Sequence, residues 1–213
     1  MIVHPDIENY IHSLTSLPDP VLEEMAREGE ARNFPIIGPA VGRLLVTLIQ
    51  FGHVHTVLEC GSGFGYSALW MALALSENAR ITCIETDEKN IERAKYYFEK
   101  AGQSHKVSFI CGNALEVVPT LKQTYDLIVN DIDKEGYPLI LPRLVERLRT
   151  GGMLVTDNVL RQGKVTGPAS DPATAAVQEY NRLLAEADNL WNSFIPLRDG
   201  VGLSVKLRKK DKG

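Results

Sequence analysis

Asp131, Lys134, Asp157 and Asn158 are the side chains through which this sequence could bind a metal and move a proton. Two carboxylates and an amide oxygen make an all-oxygen donor set. Such a set suits a hard cation, Mg²⁺ or Ca²⁺ with Mn²⁺ beside them, better than zinc. Taken singly, strand-end Asp and Asn residues cap turns and helices more often than they bind ions; the coincidence of three favours the ion. Lys134 follows Asp131 by three positions. Beside a cation in a partly dry pocket, a lysine can serve as a general base near neutral pH. The competing reading is a surface lysine paired with Glu135. Asp133 either orients Lys134 or reaches a bound cofactor, and its place in the sequence does not choose between them.

A second constellation lies upstream. Val57 to Ser67 reads as an apolar strand, a turn Glu59-Cys60-Gly61-Ser62-Gly63-Phe64-Gly65, and a helix opening at Tyr66-Ser67. Glycines allow positive φ and let a ligand approach the main chain, and open parallel sheets bind ligands beyond the carboxyl ends of their strands. The spacing is GxGxG rather than GxGxxG, which argues against a dinucleotide resting its pyrophosphate on the helix. The bland alternative is a tight connection and nothing more. The next strand ends in Ile84-Glu85, a carboxylate that either accepts both hydroxyls of a ribose or is a solvated strand-end acid. Asp87 reads as an N-cap. After the third strand, Asn113 and Ala114 face an adenine, or Asn113 caps the helix behind it.

These groups need a frame that brings strand tips together. Roughly the first 50 residues read as helices, with breaks at Leu17 to Pro20, where Asp19 is an N-cap, and at Asn33 to Pro39. An apolar helix follows over Ala40 to Phe51. Short apolar runs then sit at His55 to Cys60, Arg80 to Glu85, Val107 to Cys111, Tyr125 to Asp131 and Gly152 to Asp157. Helical stretches alternate with them at Ser67 to Ser76, Glu88 to Ala101, Ala114 to Thr120 and Tyr137 to Arg149. Continuous apolar character marks strands covered on both faces, so the pattern predicts an α/β, doubly wound, Rossmann-like parallel sheet with helices on both sides. If the fourth and fifth runs are neighbours, their tips lie about 4.8 Å apart. A helix at Pro172 to Glu186 precedes two strand-like runs, Leu190 to Leu197 and Val201 to Leu207, around Arg198-Asp199-Gly200. That hairpin signal predicts an antiparallel finish. We expect one domain over 1–213, with leading helices over about 1–52 and the sheet core over about 53–213.

With 213 residues, 44% of them hydrophobic and 23% charged, the chain can bury a core without staples. A net charge of −4 gives no support to a nucleic-acid partner. The basic cluster Lys206 to Lys212 reads as a solvated end. Cys60, Cys83 and Cys111 lack CxxC spacing and are expected to be buried, reduced thiols. Met1 to Tyr10 lacks the features of a signal peptide, and no apolar run nears the roughly 20 residues that span a bilayer. The expectation is a cytoplasmic protein with no membrane partner.

In order along the chain stand ExGxGxGYS from Glu59, DxDKxxY from Asp131 to Tyr137, and DNxLxxGxV from Asp157 to Val165. Together they resemble the cation-dependent O-methyltransferases, the family of catechol and caffeoyl-coenzyme A O-methyltransferases, from about Phe34 to Leu207. The resemblance implies a seven-stranded sheet with an antiparallel last strand, S-adenosylmethionine as methyl donor, and a small aromatic acceptor with adjacent hydroxyls. It implies that Asp131, Asp157 and Asn158 bind the metal, that Lys134 takes the substrate proton, and that Glu85 holds the cofactor ribose. Gly61, Ser67 and the segment at Ile37 would lie round the methionine end, with Glu59, Gly63, Gly65 and Tyr66 in the same turn. Asn113 and Ala114 would stand at the adenine, Asp131 and Asp133 within reach of the cofactor, and Ile36 to Gly42 would form a lip over both ligands. A homodimer through the leading helices is a further family expectation.

Two departures bear on this. Cys60 replaces the leucine usual in the glycine turn, a mild change. Ser193 and Phe194 stand near the place where catechol enzymes carry a carboxylate for the second hydroxyl, which weakens strict catechol specificity. Rival readings are a metal-independent methyltransferase of the same fold, a nicotinamide dehydrogenase, and a non-catalytic cofactor-binding module. The GxGxG turn disfavours the dehydrogenase, and the complete set Asp131, Lys134, Asp157 and Asn158 disfavours the binding module.

Overall fold

The structure, a computed structural model, describes residues 2–208. Three helices lead: α1 (Pro5–Ser13), α2 (Pro20–Ala31) and α3 (Gly38–Gly52). Asp19 caps α2 as its sequence position predicts, its Oδ1 accepting the Val21 N–H at 2.8 Å ahead of Pro20. Helix α3 begins at Gly38 rather than Ala40, because the fixed φ of Pro39 suits a first helical turn.

Strands and helices then alternate: β1 (Thr56–Cys60), α4 (Tyr66–Ala74), β2 (Arg80–Glu85), α5 (Glu88–Lys100), β3 (Val107–Cys111), α6 (Ala114–Thr120), β4 (Tyr125–Asn130), α7 (Tyr137–Arg147) and β5 (Leu148–Thr156). The chain finishes its described part with α8 (Pro172–Glu186), β6 (Leu190–Ile195) and β7 (Val201–Lys206). The seven strands form one sheet in the order β3-β2-β1-β4-β5-β7-β6. β1 to β5 run parallel, and β7 is antiparallel to both β5 and β6.

The unbroken apolar runs have the cause expected of them. Along β1, Val57 packs into a layer with Leu45, Trp70 and Phe98 from α3, α4 and α5. Its neighbour Leu58 packs into the opposite layer with Val118, Ile140 and Tyr180 from α6, α7 and α8. Successive strand residues point to opposite faces, so a strand covered on both sides must be apolar at each position.

Three expectations need adjustment. β5 starts at Leu148, not Gly152: Leu148 is fully buried opposite Tyr125, and Gly151 at φ +76° absorbs the irregularity between the two parts of the strand. Cys60 and Cys83 are buried free thiols, but the free Cys111 is exposed because it ends an edge strand. Lys206 is not solvated, since its Nζ donates to the carbonyls of Val145 and Leu148, each at 2.6 Å. The rest of the basic cluster from residue 209 onward lies outside the described residues. No helix among the described residues is long and apolar enough to cross a membrane.

The strand order reverses direction between β1 and β4, and a crevice forms beyond the carboxyl ends at such a reversal. The tips of these strands meet closely. The Asp131 N–H donates to Cys60 O at 2.9 Å. Gly61, at φ +82°, lies so near that an added Cβ would sit 2.3 Å from Asp131 O. Gly61→Ala is therefore expected to lower stability by about 2–5 kcal/mol, combining a left-handed conformation with an overpacked contact. Urea unfolding of the variant against wild type measures it.

Candidate active site

The tips of five strands, β1 to β5, together with the turns beside them and one lip, enclose a cavity of about 690 Å³. At the β1 end, the N–H groups of Gly61 and Ser62 donate to Ile84 O at 2.9 and 3.3 Å. The Glu85 carboxylate completes the turn: its Oε2 accepts the Gly63 N–H at 2.8 Å and its Oε1 the Asp87 N–H at 3.0 Å. Glu85 is thus a buried, structured acid rather than a solvated one, with acceptor capacity left toward the cavity it lines. Asn113 meets both of its open readings at once. Its Oδ1 accepts the Leu115 N–H at 2.9 Å as an N-cap, and it lines the cavity beside Ala114.

The β4 and β5 tips carry the second group. Asn130 pairs with Thr156, and the Asp157 N–H donates to Asn130 O at 3.2 Å, so Asp131 and Asp157 follow on adjoining ends. Lys134 lies in the 3₁₀ turn after β4 and donates to Asp131 Oδ1 at 2.6 Å and to Ile132 O at 3.3 Å. Its partner is therefore Asp131, and the pairing with Glu135 does not form. Burial first, and then the charge of Asp131, push the Asp157 carboxyl above the ordinary carboxylate range. Lys134 offsets part of this through its positive charge. Asn158 follows at φ +57° and lines the same wall. Among the described residues no three His, Cys, Asp or Glu side chains converge as a metal-holding group; the set here is two carboxylates and one amide.

Behind this pair stands Tyr137, which the motif includes but to which its spacing assigns no task. Its hydroxyl donates to the Asp157 carbonyl oxygen at 2.9 Å. Burial, and next the charges of Asp131 and Asp157, raise its phenol well above the ordinary value, so it remains a donor. Tyr137 therefore fixes the backbone on which Asp157 stands.

The lip is tied down from two sides. Arg32 lies 5.3 Å from the centroids of both Phe34 and Phe64 and donates to Asn90 Oδ1 at 3.0 Å. Phe34 and Phe64 meet edge to face at 5.1 Å, which sets Phe34 over Gly63. From the other side, Arg198 in the β6–β7 turn donates from Nη1 to Ile36 O at 2.6 Å. Arg198 also lines the cavity, a residue whose signal in the sequence was its place in the hairpin turn.

Of the residues singled out in the sequence, Ile37, Gly61, Gly63, Tyr66, Ser67, Glu85, Asn113, Ala114, Asp131, Asp133, Lys134, Asp157 and Asn158 all line this one cavity. Asp133 faces the cavity without a hydrogen bond to Lys134 among those formed. Glu59 and Gly65 lie behind the wall: Glu59 is 1% exposed, and Gly65 packs against Ala94 and Phe98.

A sequence model of the O-methyltransferase family matches residues 12–207. A catechol O-methyltransferase of Niastella koreensis is 30% identical over 95% of this chain and 97% of its own length. A caffeoyl-CoA O-methyltransferase of Populus trichocarpa is 31% identical over 78% of this chain and 73% of its own. The fold is also similar to the crystal structure of the O-methyltransferase TomG from Streptomyces achromogenes in complex with S-adenosylmethionine. That likeness has a TM-score of 0.88 at 27% identity, covering 95% of this chain and 96% of the other.

Glu59, just behind the cavity wall, is the buried acid most open to a solution test. Desolvation, opposed by a hydrogen bond from Ser67 and assisted by the charge of Asp131, pushes it from 4.5 up to about 7. An acid raised in this way costs the fold nothing below its unfolded value. The cost grows as pH climbs from about 4.5 and is complete above about 7. Glu59→Gln removes that dependence. The stability of the variant relative to wild type should therefore improve by up to about 3 kcal/mol between pH 4.5 and pH 8. Urea unfolding at both pH values reads it; a difference independent of pH would contradict the assignment.

Proposed function

The chain belongs to the O-methyltransferase family, and from that premise we propose that it methylates one of two adjacent hydroxyls on a small aromatic acceptor, using S-adenosylmethionine and a divalent cation. The observation that carries this reading is the contact of Lys134 Nζ with Asp131 Oδ1 at 2.6 Å, beside Asp157 on the adjoining strand tip, in the cavity floored by the glycine turn.

The donor set fits a cation. Asp131, Asp157 and the amide oxygen of Asn158 would hold Mg²⁺, or Ca²⁺ or Mn²⁺, an all-oxygen set with two carboxylates at one corner of the cavity. Held there by Asp131, Asp157 and Asn158, a dication would supply positive charge that favours the ionised form of a phenol. S-adenosylmethionine supplies a methyl group on a sulfonium, open to in-line displacement by an oxygen anion. The chain's own residues do the rest. Glu85 accepts hydroxyls of the ribose with the lone pairs that Gly63 and Asp87 leave open. Gly61, Ser67 and Ile37 enclose the methionine end, while Asn113 and Ala114 border the base. Lys134, held by Asp131, receives the phenolic proton at Nζ.

Proton removal of this kind contributes about 10²–10⁴-fold. Alignment of oxygen and methyl supplies up to roughly 7–11 kcal/mol of barrier reduction. Positioning is the larger part, which explains why so much of the cavity wall is tied backbone. As a member of this family acting in free solution, the protein is read as cytoplasmic and homodimeric, with no nucleic-acid or membrane partner.

The direct test is methyl transfer from S-adenosylmethionine to a panel of catechols and hydroxycinnamoyl thioesters, with Mg²⁺ and with excess EDTA. Turnover of a diol that needs Mg²⁺ is the expected result, and equal rates in EDTA would remove the metal from the reading. Asp157→Ala should abolish measurable turnover while calorimetry finds S-adenosylmethionine binding near that of wild type. Lys134→Met should lower kcat by about 10²-fold with little change in acceptor KM; an unchanged kcat would take the lysine out of the reaction.

A further inference from the structure

Three cations line the cavity: Lys134, Arg161 and Arg198. Two are already matched to a carboxylate, Lys134 to Asp131 at 2.6 Å and Arg161 to Asp171 at 3.2 Å. Arg198 is different. Its Nη1 donates to a neutral acceptor, Ile36 O, and the carboxylate nearest to it, Glu8, lies 3.8 Å from Nε. That is an ion pair without a hydrogen bond. Among the described residues, Arg198 is thus the lining cation with no carboxylate hydrogen-bonded to it. A guanidinium has five N–H donors in a planar fork, and the bond to Ile36 O engages one of them. The adjoining Asp199 does not close it, because its carboxylate accepts the Gln162 N–H.

Two further features concern the place itself. Arg198 has φ +50°, a left-handed backbone that glycine adopts freely and an arginine adopts at a cost. Non-glycine residues held in that region cluster at ligand sites, and Asn158 and Arg161 of the same cavity share it. Opposite, Gly38 has no side chain, and a Cβ there would sit 3.2 Å from the Arg198 guanidinium. The lip therefore leaves the space that the cation fills. The turn that carries Arg198 is bonded to the segment directly after Asn158, the Val159 N–H donating to Gly200 O at 3.1 Å and the Leu160 N–H to Asp199 O at 3.0 Å, which sets it at the acceptor end of the cavity.

From this arrangement we infer that Arg198 recognises a carboxylate on the acceptor, so that the favoured substrates are vicinal aromatic diols carrying an acid group, of the dihydroxybenzoate or dihydroxycinnamate kind. The inference rests on the methyl-transfer reading above and adds the substrate class. A carboxylate matches a guanidinium fork with two parallel hydrogen bonds, which a lysine or an amide cannot reproduce.

The experiment compares kcat/KM for 3,4-dihydroxybenzoate and for its methyl ester, at saturating S-adenosylmethionine and Mg²⁺, in wild type, Arg198→Lys and Arg198→Gln. Wild type should prefer the acid by about tenfold. The ratio should fall to near one in the glutamine variant and be partly kept in the lysine variant. Because Arg198 also ties the lip, absolute rates will fall in both variants; the ratio is the readout, and it is indifferent to the amount of folded protein. The same acid-to-ester ratio in wild type and Arg198→Gln would overturn the inference. So would a raised KM for S-adenosylmethionine at an unchanged ratio, which would give the guanidinium to the cofactor. Turnover of neither acid nor ester would overturn the methyl-transfer reading and this inference with it.

Discussion

The close approach of two strand ends governs this molecule. At the reversal between β1 and β4 the backbone of Gly61 lies against the backbone of Asp131, with no room for a methyl group between them. Everything at the cavity floor follows from that contact. It sets the glycine turn beside the acid of β4, and the pairing of β4 with β5 then brings Asp157 and Asn158 to the same corner. A sheet of parallel strands delivers this geometry cheaply, because each carboxyl end arrives on the same edge. The side chains need no long loops to meet.

Polar support is layered round that corner. Glu85 binds two backbone N–H groups of turns on either side of it, and Tyr137 binds the carbonyl of Asp157. Neither contact is exotic, yet each fixes main chain that carries a reactive neighbour. Fixed main chain is what a reaction limited by alignment requires. Arg32 and Arg198 do the same for the lip, one through aromatic faces and one through a carbonyl.

Much of this was legible in the sequence, for a physical reason. Strands buried on both faces leave unbroken apolar runs, so β2 and β3 match their expected limits, as do α6 and α8, and the other strands differ by a few residues. Site residues stood out where chemistry and strand ends coincide, as at Glu85, Asp131 and Asp157. What escaped depends on distant partners. Lys206 reads as a surface lysine until the carbonyls at the end of α7 are placed beside it. Arg198 meets a carbonyl in a segment far upstream, and local pattern holds no trace of such a contact. Cys111 looked buried because its neighbours are apolar, but the edge position of β3 exposes it. Glu59 was drawn into the cofactor set by its motif, whereas strand alternation turns it into the interior.

The placing of β7 between β5 and β6 has a consequence for the cavity. β6 comes earlier in the chain, yet it touches the sheet only through β7. Its seat in the sheet is supplied wholly by its successor, which pairs with β5 on its other side. The turn that joins them carries Arg198, so the place of that cation in the cavity depends on how the hairpin is seated against β5.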